Sequence, residues 1–188
     1  MVKNKLRKSL FEQGQSLSDS FITDSNLIIQ SQAIENIDFK STINNLLYFP
    51  YRYEVSIELI EKEINKYSNN IYMPRIFSNK NMSFNLLDGS PIVKNKYGIN
   101  EINNNKYLDP LSFDCMFIPF VGIDSNGQRL GYGGGYFDRS LEVLKGTKER
   151  PLIVGLGYDY QVSKEVYGEK HDLKYDLVIT ERRVLSFI

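Results

Sequence analysis

The chain has 188 residues, and its 23 lysines and arginines balance its 23 aspartates and glutamates. This length favours a single domain over residues 1–188, and 41% hydrophobic residues are enough to build its core. Without a net charge the chain has no overall field to attract nucleic acid or an acidic membrane, so any anion site must be local. We therefore expect small-molecule partners, no nucleic acid and no membrane, and a monomer or small homo-oligomer.

Cysteine content and the N-terminal segment indicate where the protein acts. One cysteine, Cys115, excludes an intrachain disulfide and fits a reducing compartment. No apolar run approaches the ~20 residues that span a bilayer, and the basic N-terminus lacks the apolar core of a secretion signal. These features predict a cytoplasmic protein.

Hydrophobic spacing and turn residues predict an α/β protein. In chain order, residues 2–13 are predicted to form an amphipathic helix, residues 16–19 to cap a second helix, and a strand to end at Pro50. A helix is then predicted from about Glu54, and residues 88–109 lack periodicity and are predicted to form a long excursion. The remaining predicted elements are a helix at 136–145 and strands at 70–73, 82–86, 114–118, 152–156 and 177–179. Alternating strands and helices favour a largely parallel central sheet flanked by helices, with ligands beyond the carboxyl ends of the strands.

The stretch most informative about function is Arg129-Leu-Gly-Tyr-Gly-Gly-Gly-Tyr-Phe-Asp138-Arg139, which holds four of the chain's 13 glycines. Clustered glycines permit a backbone of positive φ, in which successive amides can point into one anion-binding concavity. The flanking arginines add positive charge, a helix is predicted to start directly after the glycines, and Asp138 supplies an oxygen ligand suited to magnesium. The stretch favours a phosphate site with a metal beside it; the alternative is a tight turn between a strand and a helix.

This glycine loop differs from two common nucleotide-binding loops. A Walker A loop ends in Gly-Lys-Ser or Gly-Lys-Thr, and no lysine lies between Arg129 and Arg139. A dinucleotide-binding fingerprint counted from Gly131 requires glycine at its sixth position, which is Tyr136. The loop therefore belongs to neither class.

Two cations occupy one face of the first predicted helix. Lys3 and Arg7 are four residues apart, and a cation near a helix N-terminus opposes the helix dipole at a cost of ~0.3–1 kcal/mol. An anionic ligand bound between them would offset this cost. A solvated basic helix start is the alternative.

The glycine loop closely resembles the signature of the 5-formyltetrahydrofolate cyclo-ligase family, also called 5,10-methenyltetrahydrofolate synthetases. Further matches follow in the family's order along nearly the whole chain. They are the basic pair Lys3 and Arg7, Tyr48 through Glu54 and Val55, Pro74-Arg75, residues 98–101, residues 114–119 and His171-Asp172. The resemblance implies an α/β fold related to sugar-phosphate isomerases and coenzyme A transferases.

The resemblance also implies a ring closure that depends on ATP and magnesium. The formyl oxygen of 5-formyltetrahydrofolate would take the γ-phosphoryl group of ATP, and the folate nitrogen at position 10 would then attack the activated carbon as phosphate leaves. Phosphoryl transfer depends mainly on alignment and charge stabilisation, so no catalytic protein nucleophile is predicted. A non-catalytic homologue that binds folate or nucleotide is the alternative. Nucleic-acid binding through the basic N-terminus is disfavoured by the neutral net charge.

By this resemblance three groups of residues form the site. The ATP-binding residues are Lys3, Arg7, Arg129, Leu130, Gly131, Tyr132, Gly133, Gly134, Gly135, Tyr136 and Phe137. The folate-binding residues are Phe49, Glu54, Gly133, Gly134, Gly135 and Tyr136. Asp138 would bind magnesium, with Asp172 as a second ligand or a partner through water.

Several of these residues have a structural alternative. Glu54 would accept hydrogen bonds from paired pterin N–H groups, but it would also be favourable in the first turn of a helix. Phe49 would either line the folate pocket or belong to the core, and Tyr136 would either stack on the pterin or pack against the sheet. Asp172 would alternatively finish a turn. Arg75 would bind either a ligand anion or an ordinary surface partner.

Three departures from the family pattern affect the predicted folate pocket more than the phosphate site. Ser56-Ile57 replaces a more polar pair after Glu54-Val55, Ile102 stands where the family has proline, and Phe120 displaces a glycine. His171 is predicted to be structural rather than catalytic.

Overall fold

The computed structural model describes residues 2–169 and 172–188. Its helices are α1 (Val2–Gln15), α2 (Asp19–Asn36), α3 (Glu58–Asn65) and α4 (Tyr136–Ser140). The strands of the first half are β1 (Asn44–Leu46), β2 (Asn70–Ile76), β3 (Met82–Leu86), β4 (Ile92–Lys94) and β5 (Asn100–Ile102). Those of the second half are β6 (Cys115–Phe117), β7 (Gly122–Ile123), β8 (Arg129–Leu130), β9 (Leu152–Leu156), β10 (Leu177–Ile179) and β11 (Val184–Ser186).

Seven strands form one central sheet in the order β11-β10-β9-β6-β1-β2-β3. The strands from β10 to β2 are parallel, and the edge strands β11 and β3 run antiparallel to their neighbours. From β1 the chain continues to β2 on one side, whereas from β6 it continues to β9 and β10 on the other. The carboxyl ends of β1 and β6 are therefore a topological switch point, where open α/β sheets form ligand crevices.

Apolar side chains cover both faces of this sheet, as parallel strands require. Helices α2 and α3 close one face with residues that include Ile29 and Ile60, which pack against Phe117 of β6. On the other face Phe137 and Leu141 close over a cluster that includes residues of β6, β9 and β10. The predicted largely parallel α/β architecture is confirmed. Among the described residues, none of the helices combines the length and apolar character needed to cross a membrane.

The helix predicted from about Glu54 begins four residues later, at Glu58. Residues 51–54 form a turn instead, in which the Glu54 N–H donates to the Tyr51 carbonyl at 3.1 Å. The Tyr51 N–H in turn donates to the Glu54 carboxylate at 2.8 Å. The prediction was wrong here because the Glu54 side chain bonds within the turn instead of capping a helix.

Side chains of α2 satisfy the amino end of α3. The N-cap residue Ile57 makes no side-chain cap, and the Ser56 hydroxyl accepts from Glu58 N–H only at 3.5 Å. Instead the Gln30 amide oxygen accepts from Leu59 N–H at 2.8 Å, and the Asn26 amide oxygen accepts from Ser56 N–H at 2.6 Å. The open N–H groups of a helix start need such partners, so α2 supplies an acceptor to a helix whose N-cap residue, Ile57, is apolar.

Two other predicted stretches differ from the observed elements. The helix predicted at 136–145 ends at Ser140 and continues as a separate 3-10 turn, Glu142–Leu144. The excursion predicted at 88–109 contains the β4–β5 hairpin, which lies outside the central sheet. Lys94 pairs with Asn100 at its closing end, so the residues between them form a short tip.

Candidate active site

The glycine loop, residues 131–135, connects β8 to α4 beside the switch point. Gly133 has φ of 93° and Gly135 has φ of 69°, a left-handed region that glycine enters without strain. A Cβ atom on Gly131 would overlap the Arg129 guanidinium, and one on Gly134 would lie 2.8 Å from the Tyr136 ring. The loop therefore needs glycine both for its path and for the close approach of neighbouring side chains.

Two cavities meet at this loop. The aromatic cavity has a volume of about 390 Å³ and lies towards β2 and the β4–β5 hairpin. The charged cavity has a volume of about 440 Å³ and lies towards the start of α1. Both are lined by Arg129, Gly133, Gly135 and Asp138, so the loop and its two flanking charges form a shared wall.

Glu54 is one of three carboxylates that line the aromatic cavity, with Glu101 and Asp138. Its carboxylate accepts from the Tyr51 N–H at 2.8 Å and is hydrogen-bonded by the Tyr132 side chain. Burial raises the pKa of Glu54 to about 7, although the Tyr51 N–H, the Arg129 charge and the Tyr132 hydrogen bond each act in the opposite direction. Burial, reinforced by the nearby Glu54 charge, raises the pKa of Tyr132, which keeps its phenol protonated as a donor.

Aromatic rings and one arginine form a rim around Tyr132. The Phe11 ring lies 5.4 Å from the Tyr132 ring between centroids, and the Tyr51 ring lies 5.8 Å from it. The Arg52 guanidinium lies 5.0 Å from the Tyr51 ring centroid and 5.4 Å from that of Phe11. Arg52 has φ of 57°, an uncommon conformation for a residue other than glycine. The half-buried Phe49 lines the same cavity.

The tip of the β4–β5 hairpin borders the opposite side of the aromatic cavity. The Tyr97 ring meets the Tyr136 ring edge-on at 6.5 Å between centroids, with their hydroxyls 3.5 Å apart. Glu101 anchors this tip, because its buried carboxylate accepts from Ile76 N–H at 2.9 Å and from the Asn95 amide at 2.8 Å. The predicted excursion thus contributes a wall of the cavity.

The charged cavity brings the N-terminal helix to the glycine loop. The Arg7 Nε donates to the Gly131 carbonyl at 2.7 Å, and the Lys3 Nζ donates to the Asp172 carboxylate at 2.6 Å. Arg129 is buried, donates from Nε to the Pro119 carbonyl at 2.8 Å, and lies over the Phe137 ring. The other cations lining this cavity are Arg139 and Lys145. The cavity therefore gathers five cations beside four carboxylates, which are Asp138, Glu142, Glu169 and Asp172, so its positive charge is largely balanced.

Asp138 and Asp172 both line the charged cavity. The Asp138 carboxylate accepts from Leu173 N–H at 3.2 Å and lies 3.5 Å from an Arg129 nitrogen, and Asp172 accepts from Glu169 N–H at 2.7 Å. Within residues 2–169 and 172–188, no three acidic, histidine or cysteine side chains group closely enough to hold a metal alone. Magnesium typically binds through one or two carboxylates, with substrate phosphates and water completing its shell. The residues fit a magnesium ion that arrives with a nucleotide.

Of the remaining residues named from the sequence, two line neither cavity and one lies outside the described part of the chain. Leu130 is buried against Leu10 and Val121 and lines neither cavity, so only its backbone can face a ligand. Arg75 donates to the Asn104 carbonyl at 3.1 Å and also lies outside both cavities. His171 lies outside the described residues.

Several residues that line the aromatic cavity were not predicted from the sequence. They are Phe11, Tyr51, Arg52, Asn95, Tyr97 and Glu101. Phe11 could have been predicted from helical spacing, because it lies one turn beyond Arg7 on the face that carries Lys3 and Arg7. No sequence pattern predicts the hairpin residues, because only the fold brings that excursion to the glycine loop.

Two departures from the family pattern are accommodated by packing. The Phe120 ring meets the Tyr175 ring at 5.6 Å and occupies space left by two other glycines, Gly155 and Gly157. Ile102 is fully buried in the core. Both substitutions therefore stabilise the fold without blocking either cavity.

Comparisons with known proteins show which family the chain belongs to. A model described as the 5-formyltetrahydrofolate cyclo-ligase family matches residues 1–181. The 5-formyltetrahydrofolate cyclo-ligase of Haemophilus influenzae is 30% identical over 181 residues, which cover 93% of this chain and 92% of that protein. The corresponding protein of Mycoplasma genitalium is 29% identical over 181 residues, covering 94% and 96%.

Solved structures support the same conclusion. The Aquifex aeolicus 5,10-methenyltetrahydrofolate synthetase superposes with a TM-score of 0.85 at 26% identity, covering 100% of this chain and 93% of that one. A second synthetase, from Mycoplasma pneumoniae, has a TM-score of 0.76 at 22% identity and supports the fold alone. The chain therefore belongs to the 5-formyltetrahydrofolate cyclo-ligase family, whose ATP-dependent ligases close 5-formyltetrahydrofolate to 5,10-methenyltetrahydrofolate.

Proposed function

We propose that the two cavities divide the reaction between them, the aromatic one holding the folate and the charged one holding the phosphates of ATP. The observation that carries this proposal is their shared wall, formed by the glycine loop, Arg129 and Asp138. A phosphoryl group must pass from nucleotide to folate, so the two binding sites have to meet at a thin boundary with a cation at hand. The glycine loop would form this boundary, and Arg129 would supply the cation.

Glu54 would recognise the pterin ring in the aromatic cavity. An ionised carboxylate accepts two parallel hydrogen bonds, which matches the paired N–H donors of the pterin. The Tyr132 hydroxyl would hold Glu54 in place, because it is protonated and already bonded to that carboxylate. Phe49 and Tyr136 would supply apolar surface to the bound ring, and their place in the lining supports this role.

Backbone and cations would bind the phosphates in the charged cavity. The amides of Gly131, Gly133 and Gly135, which line this cavity, would supply neutral donors, and Lys3, Arg7 and Arg139 would supply charge. Asp138 would hold magnesium, with Asp172 as the second ligand or a partner through water. Magnesium held there would neutralise the negative charge that develops on the transferring phosphoryl group.

The reaction would proceed in two steps that need no protein nucleophile. The formyl oxygen takes the γ-phosphoryl group, forming an O–P bond as the bond to ADP breaks. The nitrogen at position 10 then attacks the formyl carbon and releases its proton to solvent, and the C–O bond to phosphate breaks as the ring closes. Arg129 lines both cavities and would stabilise charge in both steps. The chain's one cysteine is buried, and burial raises the pKa of the Cys115 thiol, which disfavours a thiolate.

Coupled assays of ADP release and methenyltetrahydrofolate absorbance would test this division of roles. We expect wild type to turn over, Asp138→Ala to lose most activity through the nucleotide, and Glu54→Ala through the folate. Glu58→Gln is the matched control, because it removes an exposed carboxylate that lies outside both cavities. Folate binding without ADP release by wild type would instead identify a non-catalytic homologue. Activity retained by both site variants would refute the site assignment.

We also propose that residues 1–188 act as one domain in the cytoplasm, as a monomer or small homo-oligomer without a nucleic-acid partner. The single buried thiol supports a reducing compartment, and the balanced charge supports the absence of nucleic acid. Cell fractionation and light scattering would test location and assembly.

A further inference from the structure

Asp124 is a buried carboxylate that neither cavity exposes to a ligand. It lies in the turn between β7 and β8, five residues before Arg129. Its Oδ1 accepts from the backbone N–H groups of Asn126 and Gln128, each at 2.9 Å. Its Oδ2 accepts from Tyr167 N–H at 3.2 Å and from Gly168 N–H at 2.9 Å. One side chain thus bonds to four amides in two distant parts of the chain.

Both parts lead to residues that line the charged cavity. The β7–β8 hairpin leads directly into Arg129 and the glycine loop, whereas residues 167–169 lead towards Asp172. Further bonds continue the connection along the chain. Gln128 Nε2 donates to the Glu169 carbonyl at 3.1 Å, and Arg129 N–H donates to the Leu173 carbonyl at 2.8 Å. Asp124 begins this series of contacts.

We propose that Asp124 is a positioning residue for the nucleotide half of the site. Its carboxylate fixes the segment at residues 167–169 against the β7–β8 hairpin, and so fixes Asp172 relative to Asp138 and the glycine loop. This inference rests on the proposed role of Asp172 in binding magnesium with the nucleotide.

The chemistry of Asp124 requires a carboxylate rather than another polar group. A buried charge is costly unless it is hydrogen-bonded, and here four N–H donors satisfy its two oxygens. An asparagine would keep one oxygen, and its amide would place N–H donors against one pair of backbone N–H donors. Either the β7–β8 turn or the 167–168 segment would then lose its anchor.

The test compares ligand affinities of Asp124→Asn and wild type by calorimetry, using ADP with magnesium, ADP with a chelator, and 5-formyltetrahydrofolate. Groups that orient metal ligands typically contribute about 10–100-fold to affinity. We expect a loss of that size for ADP with magnesium, a smaller loss with the chelator, and unchanged folate affinity. Hydrogen exchange at the Tyr167 and Gly168 amides should become faster in the free protein.

Two further variants separate positioning from general damage. Asp176→Asn is the control for loss of a buried carboxylate, because Asp176 accepts from Ile153 N–H at 2.8 Å and pairs with Arg150, but lines neither cavity. Gln128→Ala removes a later bond of the same connection and should weaken ADP with magnesium in the same direction, by less. If Asp124→Asn does not fold, weaker binding of ADP with magnesium by Gln128→Ala would support the proposal, and unchanged binding would refute it.

Each outcome has a defined meaning. Faster exchange at Gly168 without weaker nucleotide binding would overturn the proposal, and so would an equal loss in Asp176→Asn. The variant Asp172→Ala tests the proposed function on which the inference rests. If it leaves nucleotide affinity unchanged, the metal assignment fails, whereas weakening by Asp172→Ala but not by Asp124→Asn refutes the positioning role alone.

Discussion

Replacing Glu54 with glutamine should change how the stability of the protein depends on pH. The pKa of Glu54 rises from its ordinary value of 4.5 to about 7 in the folded protein, chiefly because of burial. Such a group favours the folded state while it is protonated, and this contribution is lost as the pH rises through the folded pKa. Moving the pKa from 4.5 to about 7 corresponds to about 3 kcal/mol. Glu54 should therefore reduce wild-type stability by about that amount between pH 4.5 and pH 8.

The charged and titratable groups that face Glu54 do not change their charge between pH 4.5 and pH 8. Burial raises the pKa of the Tyr48 and Tyr132 phenols, so both stay neutral across the range, and Arg129 and Arg52 carry fixed charges. Groups elsewhere in the chain titrate alike in wild type and in Glu54→Gln. They cancel when the two free energies of unfolding are subtracted.

Urea unfolding at several pH values between 4.5 and 8 would measure this difference. We expect the free energy of unfolding of Glu54→Gln minus that of wild type to increase by about 3 kcal/mol as the pH rises from 4.5 to 8. Glu58→Gln controls for the loss of one negative charge from the same segment. A difference that stays constant over this range would refute the argument that burial raises the pKa.

In wild type, folate affinity should also fall below about pH 7, because the ionised form of Glu54 accepts the pterin N–H groups.

Two further predictions concern the loop and the fold. Gly133→Ala forces an alanine into φ of 93° and should lose about 1–2 kcal/mol of stability together with most turnover. Gly89→Ala, at φ of 80° with open space around it, should show the strain without the loss of turnover. Gln30→Ala should destabilise the protein by about 1–3 kcal/mol in urea unfolding, because Leu59 N–H loses its acceptor. Ser31→Ala on the same helix should change little, and equal losses in both helix variants would contradict the capping role.

Local pattern was sufficient to predict most of the fold. Buried runs such as 152–156 and 177–179 are parallel strands in the structure, as their continuous apolar character predicts. The miss at Glu54 has a specific cause. A carboxylate followed by Val55 is compatible with a helix start, and only the bond from Tyr51 N–H to that carboxylate selects the turn. Such short-range competition between side chain and backbone is not visible in periodicity.

The site was predictable where one segment carries it and not where the fold assembles it. The glycine loop and the pair Lys3 and Arg7 stand in recognisable spacing, and the structure brings them together through the bond from Arg7 to the Gly131 carbonyl. The hairpin tip at Tyr97 has no such spacing. Its place depends on Glu101 bonding to Ile76 N–H, a contact across 25 residues that no local signal reveals.

The arrangement of the cavities explains why the loop is built from glycine. Phosphoryl transfer requires the formyl oxygen and the γ-phosphorus to come within a few ångströms of alignment, so little protein can stand between the two ligands. Four of the five loop residues are glycines without a Cβ, which keeps the wall thin, and its amide N–H groups would bind the transferring phosphoryl group in the proposed reaction. Arg129 and Asp138 flank that wall, one a cation and the other an anion that we propose binds magnesium, and each lines both cavities. Side chains added to the loop would therefore separate the reacting groups even if every binding residue stayed in place.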